Sequence, residues 1–162
     1  MASDKALVGA AGEHLVLSRL LGRGLLAAPA PRGTEKVDIV VTNRDGKGSF
    51  RIQVKTTEGS LRNGWILGAK HESQIESDLY FCLVLLGEVN SDVYVVPSEI
   101  IASAVASDHK FWIQEPKRNG QPRKDSSMRR VRSSMPLMKD GWLDQYLESW
   151  SQFETRESSS GV

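Results

Sequence analysis

The chain has 162 residues, 40% of them hydrophobic and 25% charged, with a formal net charge of +1. This is ordinary globular composition, which excludes a wholly disordered chain, a collagen-like repeat and a coiled coil. A chain of this length fits one domain with a short appendage, and it buries roughly 70% of the surface its unfolded form exposes, so it needs no covalent staples. No apolar run reaches ~18 residues, so no segment is expected to span a bilayer. The opening MASDKALVGAAGEHL lacks the basic flank and apolar stretch of a cleaved signal. Cys82 is the single cysteine, inside LYFCLVLL. An internal disulfide and a four-cysteine zinc site are therefore excluded; Cys82 reads as a small buried hydrophobe and the cytoplasm is the default compartment.

In chain order, Lys5 to Leu21 reads as a helix, with Ser3 and Asp4 as caps and Gly22 and Gly24 as its stop. Leu25 to Pro29 reads as a short strand, and Pro29, Pro31 and Gly33 make a loop. Val37 to Thr42 and Phe50 to Thr56 carry strand patterns joined by NRDGKG, where Asp45-Gly46 signals a hairpin. Trp65 to Ala69 is a further short strand and His71 to Ser77 a helical turn. Leu79 to Leu86 is apolar throughout, as a central strand requires, with Asp92 to Val96 beside it. Pro97 opens a helix over Ser98 to Ala106. Residues 114 to 135 read as a loop. Gly141 to Phe153 reads as a helix with Trp142, Leu143, Tyr146, Leu147 and Trp150 on one side, a stripe for packing or subunit contact. The expected architecture is an α/β (α+β) layered domain over residues 1–113, with a mixed central sheet flanked by helices. Residues 114–162 are the expected appendage: basic loop, C-terminal helix and frayed tail.

Charge is unevenly spread. Lys117, Arg118, Arg123, Lys124, Arg129, Arg130 and Arg132 face only Asp125 within one stretch, and the acidic segment from Asp140 to Glu157 follows. The basic stretch is a candidate for phosphate contact.

A two-residue Asp45-Gly46 loop sets the hairpin register: Val41 pairs with Phe50, Ile39 with Ile52, and Arg44 with Lys47. Asp38 falls opposite Gln53. Alternation then puts Val37, Ile39, Val41, Phe50, Ile52 and Val54 on one face, and Asp38, Val40, Thr42, Arg51, Gln53 and Lys55 on the other. On the leading helix, a phase with Glu13 at the centre of an apolar arc of Leu17, Leu20 and Val16 directs its carboxyl toward the sheet, and Gly9 and Gly12 leave room for close approach. Carboxylates, an amide oxygen and an ammonium thus converge. Mg²⁺ takes oxygen ligands of this kind, one or two carboxylates with waters and phosphate oxygens completing the shell. Asp38 is the expected central metal ligand, with Gln53 and Glu13 as further ligands. Lys55 would orient or deprotonate the attacking water and stabilise phosphorane charge. His14 and His71 read as surface histidines.

Glu13, VDIVV around Asp38 and IQVKTT around Gln53 and Lys55 resemble the PD-(D/E)XK nuclease superfamily, in particular its small endonuclease families and its homing endonucleases, in which glutamine can occupy the second acidic slot. The resemblance runs from about Gly9 to Ile101, through LYFCLVLLGEVNSDVYVVPSEII. It implies a restriction-endonuclease-like core with a four-stranded mixed sheet, Mg²⁺ (or Mn²⁺) as cofactor, and hydrolysis of phosphodiester bonds in nucleic acid, DNA first. The family's aspartate falls on Asp38, its lysine on Lys55, its second acid on Gln53 and its helix glutamate on Glu13. Val37 stands in the proline slot. Gln53 is neutral and weakens metal affinity, which leaves an alternative: a catalytically weak or inactive nuclease-fold module that binds nucleic acid or a protein partner. Cutting both strands of a duplex would take two subunits, so a homo-oligomer is expected.

Overall fold

The computed structural model describes residues 4–154. The chain runs through α1 (Lys5–Gly22), β1 (Leu26–Pro29), β2 (Ile39–Thr42), β3 (Ser49–Glu58), β4 (Trp65–Gly68), β5 (Leu79–Leu86), β6 (Asp92–Pro97), α2 (Ser98–Gln114) and β7 (Met128–Val131). Short 3₁₀ turns occupy Ala69–Glu72, Asp144–Tyr146 and Ser151–Phe153. The main sheet has the order β1-β2-β3-β5-β6. Only β3 and β5 are parallel; the other neighbours are antiparallel. The α/β layered class is as expected, with one helix on each face. The sheet has five strands rather than four, the extra one being edge strand β1, where Leu26 opposes Thr42 and Pro29 opposes Ile39.

α1 starts at Asp4, whose Oδ1 accepts the Ala6 N–H at 2.9 Å; Ser3, the other expected cap, lies outside the described residues. The helix ends at Arg23, and Gly24 follows with φ +76°, a conformation that favours glycine. Its buried stripe is Gly12, Val16 and Leu20. These join Ile39, Val41, Ile52 and Val54 in one apolar layer with Val84, Val93 and Val95. The opposite layer holds Phe81, Leu83, Tyr94 and Val96 against Ile101 and Val105 of α2, closed by Trp65 and Val131.

The β2–β3 register is the expected one, with Ile39 opposite Ile52 and Val41 opposite Phe50. The loop differs. It spans six residues, because the tight turn centres on Arg44-Asp45, closed by Gly46 N–H to Asn43 O at 3.0 Å. Gly46 then adopts φ +70°, and the Asn43 side chain accepts the Gly48 N–H at 3.1 Å. Arg44 and Lys47 are thus loop residues rather than a paired rung.

Two C-terminal expectations need correction. No α-helix covers Gly141 to Phe153. Gly141 has φ +72° and Glu148 φ +47°, both incompatible with a continuous helix. Between these breaks Leu147 bridges to Tyr94 on β6. The aromatic residues are divided between layers: Trp142 and Leu143 enter the α2 layer, Trp150 and Phe153 the α1 layer. One straight helix cannot serve both sides of a sheet. Within the expected basic loop, residues 128–131 form β7, antiparallel to β4. α2 also extends beyond its expected end to Gln114, taking in Phe111 to Ile113.

Helix α1 lies close on β3 because position 12 has no side chain. A Cβ there would stand 1.9 Å from Thr56 Oγ1 and 2.9 Å from Thr56 Cβ and Cγ2. Gly9 meets nothing within 4 Å, so only one of the two glycines serves the approach. Gly12→Ala is expected to destabilise the fold by about 1–3 kcal/mol through overpacking. Urea unfolding reads the loss, and Thr56→Ala in the same chain should recover much of it; an unchanged midpoint for Gly12→Ala would refute the close contact.

Candidate active site

Asp38 occupies the place where β2 leaves β3. Its N–H donates to Ile52 O at 2.8 Å, and its Oδ2 accepts the Val54 N–H at 2.7 Å. The carboxylate therefore reaches sideways to fill the position of a missing rung, and its two bonds bracket Gln53. Oδ1 takes no bond from the described residues. Gln53, in the middle of β3, is 7% exposed, and its Oε1 is buried without a hydrogen-bond partner among the described residues. Burying an unpaired amide oxygen is costly, and this oxygen is left free to accept a bond.

Lys55 follows two residues later on the same face and is partly buried. Burial holds its ammonium below the ordinary lysine range; the Asp38 charge opposes this, Lys70 adds to it, and Glu13 opposes it again. The Lys55 charge thus interacts with both carboxylates.

Glu13 departs from expectation in detail. The buried stripe of α1 centres near Val16, so Glu13 lies at its margin and is exposed rather than at the middle of the apolar arc. Gly12 is the residue at the helix–sheet contact, and it rotates Glu13 outward. Glu13 nevertheless shares a cleft of about 370 Å³ with Asp38, walled by the 29–34 loop and Leu17. Partial burial of the carboxyl in the cleft mouth, then repulsion from Asp38, raises its pKa above the usual value; His14 and Lys55 act in the other direction.

Glu13 and Asp38 therefore share one cleft, and the Lys55 charge acts on both; Gln53 and Lys55 stand on the α2-facing side of β3, beside Phe81 and Leu83 in the register, whereas α1 brings Glu13 from the opposite side. Among the described residues no three His, Cys, Asp or Glu side chains are grouped to hold a metal ion. The oxygen donors lining the cleft are the Glu13 and Asp38 carboxylates; Gln53 is not among its lining residues. Two carboxylates in one cleft, one with its proton affinity raised by partial burial and then by the other's charge, are the kind of oxygen donors a hard divalent cation takes. Arg51, expected on the same polar face, is engaged elsewhere: its Nε and Nη2 donate to Asp78 at 2.8 and 2.6 Å, and it also pairs with Glu76.

His71 is not a surface residue. It is 3% exposed, and its ring stands edge-on to Phe81 at 5.5 Å between centroids. Phe81 is the β5 partner of Gln53 in the register. Burial lowers the His71 pKa, with the nearby Lys55 and Lys70 charges acting in the same direction, while its Nδ1 contacts the Gly68 backbone. Its Nε2 is buried and unpartnered, as are both amide atoms of Gln74. A single histidine beside a turn offers no periodic signal, so the sequence could not reveal this buried polar cluster.

The basic segment is divided. Arg129 is 7% exposed, pairs with Glu72 and donates to Ser126 O at 2.6 Å. Arg132 holds Asp108 at 3.1 and 3.2 Å. Arg123 lies over the Trp112 ring at 4.8 Å and donates to Glu115 O at 2.8 Å. Lys117, Arg118 and Lys124 are exposed, and Arg130 is partly so. Among the described residues, no helix is long and apolar enough to cross a membrane.

No family model matches the chain, and no curated protein matches it. Among solved structures it is similar to a bacterial homing endonuclease, I-Ssp6803I, with a TM-score of 0.53 and 16% sequence identity over 94% of this chain and 91% of that one. At that identity the likeness establishes an endonuclease-like fold.

The raised Glu13 pKa, from partial burial and then from Asp38, has a measurable sign. A carboxyl whose folded pKa lies above its unfolded value of 4.5 costs stability once ionised, and the cost vanishes as pH falls to that value. Glu13→Gln should therefore raise the melting temperature at about neutral pH, with the advantage closing as the pH approaches 4.5. Added Mg²⁺ should raise the melting temperature of wild type more than that of the variant. A pH-independent difference would contradict the raised Glu13 pKa.

Proposed function

We propose that the protein is a divalent-metal-dependent nuclease that hydrolyses DNA phosphodiester bonds, of the PD-(D/E)XK type with glutamine in the second acidic position. The observation that carries this reading is the Asp38 carboxylate at the end of the β2–β3 ladder, bonded to the Val54 N–H, sharing a cleft with Glu13 and interacting with a Lys55 of lowered pKa, with a buried, unpaired Gln53 amide oxygen on the same strand as Lys55. The endonuclease-like fold supports it.

Asp38, Gln53 and Glu13 would hold Mg²⁺ (or Mn²⁺). When bound, such an ion polarises the scissile phosphate and lowers the pKa of water. The chain's own groups perform the rest. Asp38 keeps β3 in place through Val54 while lining the cleft. The Lys55 ammonium stabilises the charge that develops on the phosphoryl oxygens, and its lowered pKa brings the neutral amine, a proton acceptor for the attacking water, nearer to working pH. Glu13 adds the second negative charge that the neutral Gln53 does not provide.

Only two carboxylates line the cleft, and this favours a second reading: a module that holds nucleic acid or a protein partner with little or no hydrolysis. Supercoiled plasmid incubated with Mg²⁺ or with chelator separates the two. Nicking that depends on Mg²⁺ is expected for wild type. Asp38→Asn, which keeps an acceptor for Val54, and Lys55→Met should each lower it by at least about a hundredfold. Undiminished nicking by Asp38→Asn overturns the site; absence of nicking by wild type with any divalent metal, with DNA binding retained, favours the binding module.

A further inference from the structure

β4 and β7 form a two-stranded antiparallel ribbon outside the main sheet. Its inner face is Trp65, Leu67, Arg129 and Val131, all buried. Its outer face carries Ile66 opposite Arg130 and Gly68 opposite Met128. Ile66 is 54% exposed and Met128 53%, so two large apolar side chains stand on the solvent side of an element whose other side is already full. The ribbon is firmly seated: Glu72 and Ser126 hold Arg129 from below. At the start of β4, Gly64 has φ +62° and lies so close to β7 that a Cβ would stand 2.2 Å from Val131 O.

The ribbon borders a groove of about 370 Å³ that reaches Lys55 on β3, lined by Lys5 and Lys55, Thr56 and Thr57, Ile66 and Arg130, with Glu58 the single acid. Three cations against one acid suit a polyanion. Arg130 donates from Nη1 to Asn63 O at 2.5 Å, which uses one of its five donors and fixes its direction. The major groove of B-DNA, about 12 Å wide, admits a two-stranded ribbon and presents thymine methyl groups to apolar side chains.

We propose that the β4–β7 ribbon enters the major groove of duplex DNA beside the scissile phosphate, Ile66 and Met128 packing on base edges and Arg130 holding a backbone phosphate. This deepens the nuclease reading and rests on it for the position of the cut. The ribbon makes the protein selective for sequence as well as for phosphodiesters. An A-form RNA duplex, whose major groove is deep and narrow, would not admit it.

The test uses the full chain, a random-sequence DNA duplex pool and Ca²⁺ in place of Mg²⁺, with the bound fraction sequenced. Wild type should enrich a short thymine-containing motif. The Ile66→Ser, Met128→Ser double variant, with its fold checked by thermal unfolding, should lose that enrichment and bind the selected duplex at least about tenfold more weakly. Arg130→Ala should weaken binding to all duplexes and reduce the salt slope by about one. Wild-type enrichment and affinity in the double variant overturn the proposal, as does equal binding of an RNA duplex. Self-association of wild type through Ile66 and Met128, abolished by the same pair, also overturns it, making the ribbon a contact between copies. If wild type selects a motif that the double variant loses, yet fails to cut that duplex when Mg²⁺ is restored, the ribbon assignment stands and the hydrolytic reading falls.

Discussion

One hydrogen bond organises the site: the Asp38 carboxylate taking the Val54 N–H where the β2–β3 ladder ends. A strand that loses its neighbour exposes a donor that must be satisfied. Satisfying it with a carboxylate places a fixed negative charge at the ladder's last rung and orders the backbone on both sides of Gln53. The same bond makes structure and chemistry inseparable at this position, since the residue that would hold a metal also terminates the pairing of two strands. The close seating of α1 through Gly12 serves the same end, bringing Glu13 to the cleft without burying its charge in the apolar layer.

The electrostatics follow from that placement. Two carboxylates face one cleft, and the fold gives the outer one a raised pKa. Lys55 is drawn in the opposite direction by its burial. Both shifts bring ionisable groups toward the middle of the pH scale, where small changes in a bound cation or phosphate alter protonation. The partial burial of the Glu13 charge and its repulsion from Asp38 both reduce stability.

The hairpin was legible because period-2 alternation and a glycine turn specify register strongly: Ile39 opposite Ile52 follows from the pattern even though the loop proved longer than two residues. β5 was legible because an all-apolar run of that length has one place in a layered fold. The helix phase was misjudged by about 60°, because Gly12, with no side chain, contributes nothing to hydrophobic periodicity and yet sits at the contact. The C-terminal segment was misread for a related reason. Trp142 and Trp150 fall on one side of an ideal helix, but they belong to opposite layers, and only the non-local bridge of Leu147 to Tyr94 reveals that. His71 and the ion pairs of Arg129 and Arg132 depend on contacts between distant segments, which no local pattern encodes.

The crossing of the C-terminal segment from one face of the sheet to the other has a consequence for biosynthesis. Residues 13 to 55 supply every group in the proposed cutting cleft, yet Trp150 and Phe153 complete the layer beneath them. A nascent chain that has emerged only as far as β6 holds the full set of reactive side chains with one wall of their foundation missing. Such contacts between remote segments delay folding until nearly all of these residues are free. A chain ending before position 150 would lack Trp150 and Phe153, and with them part of the apolar layer under β2 and β3.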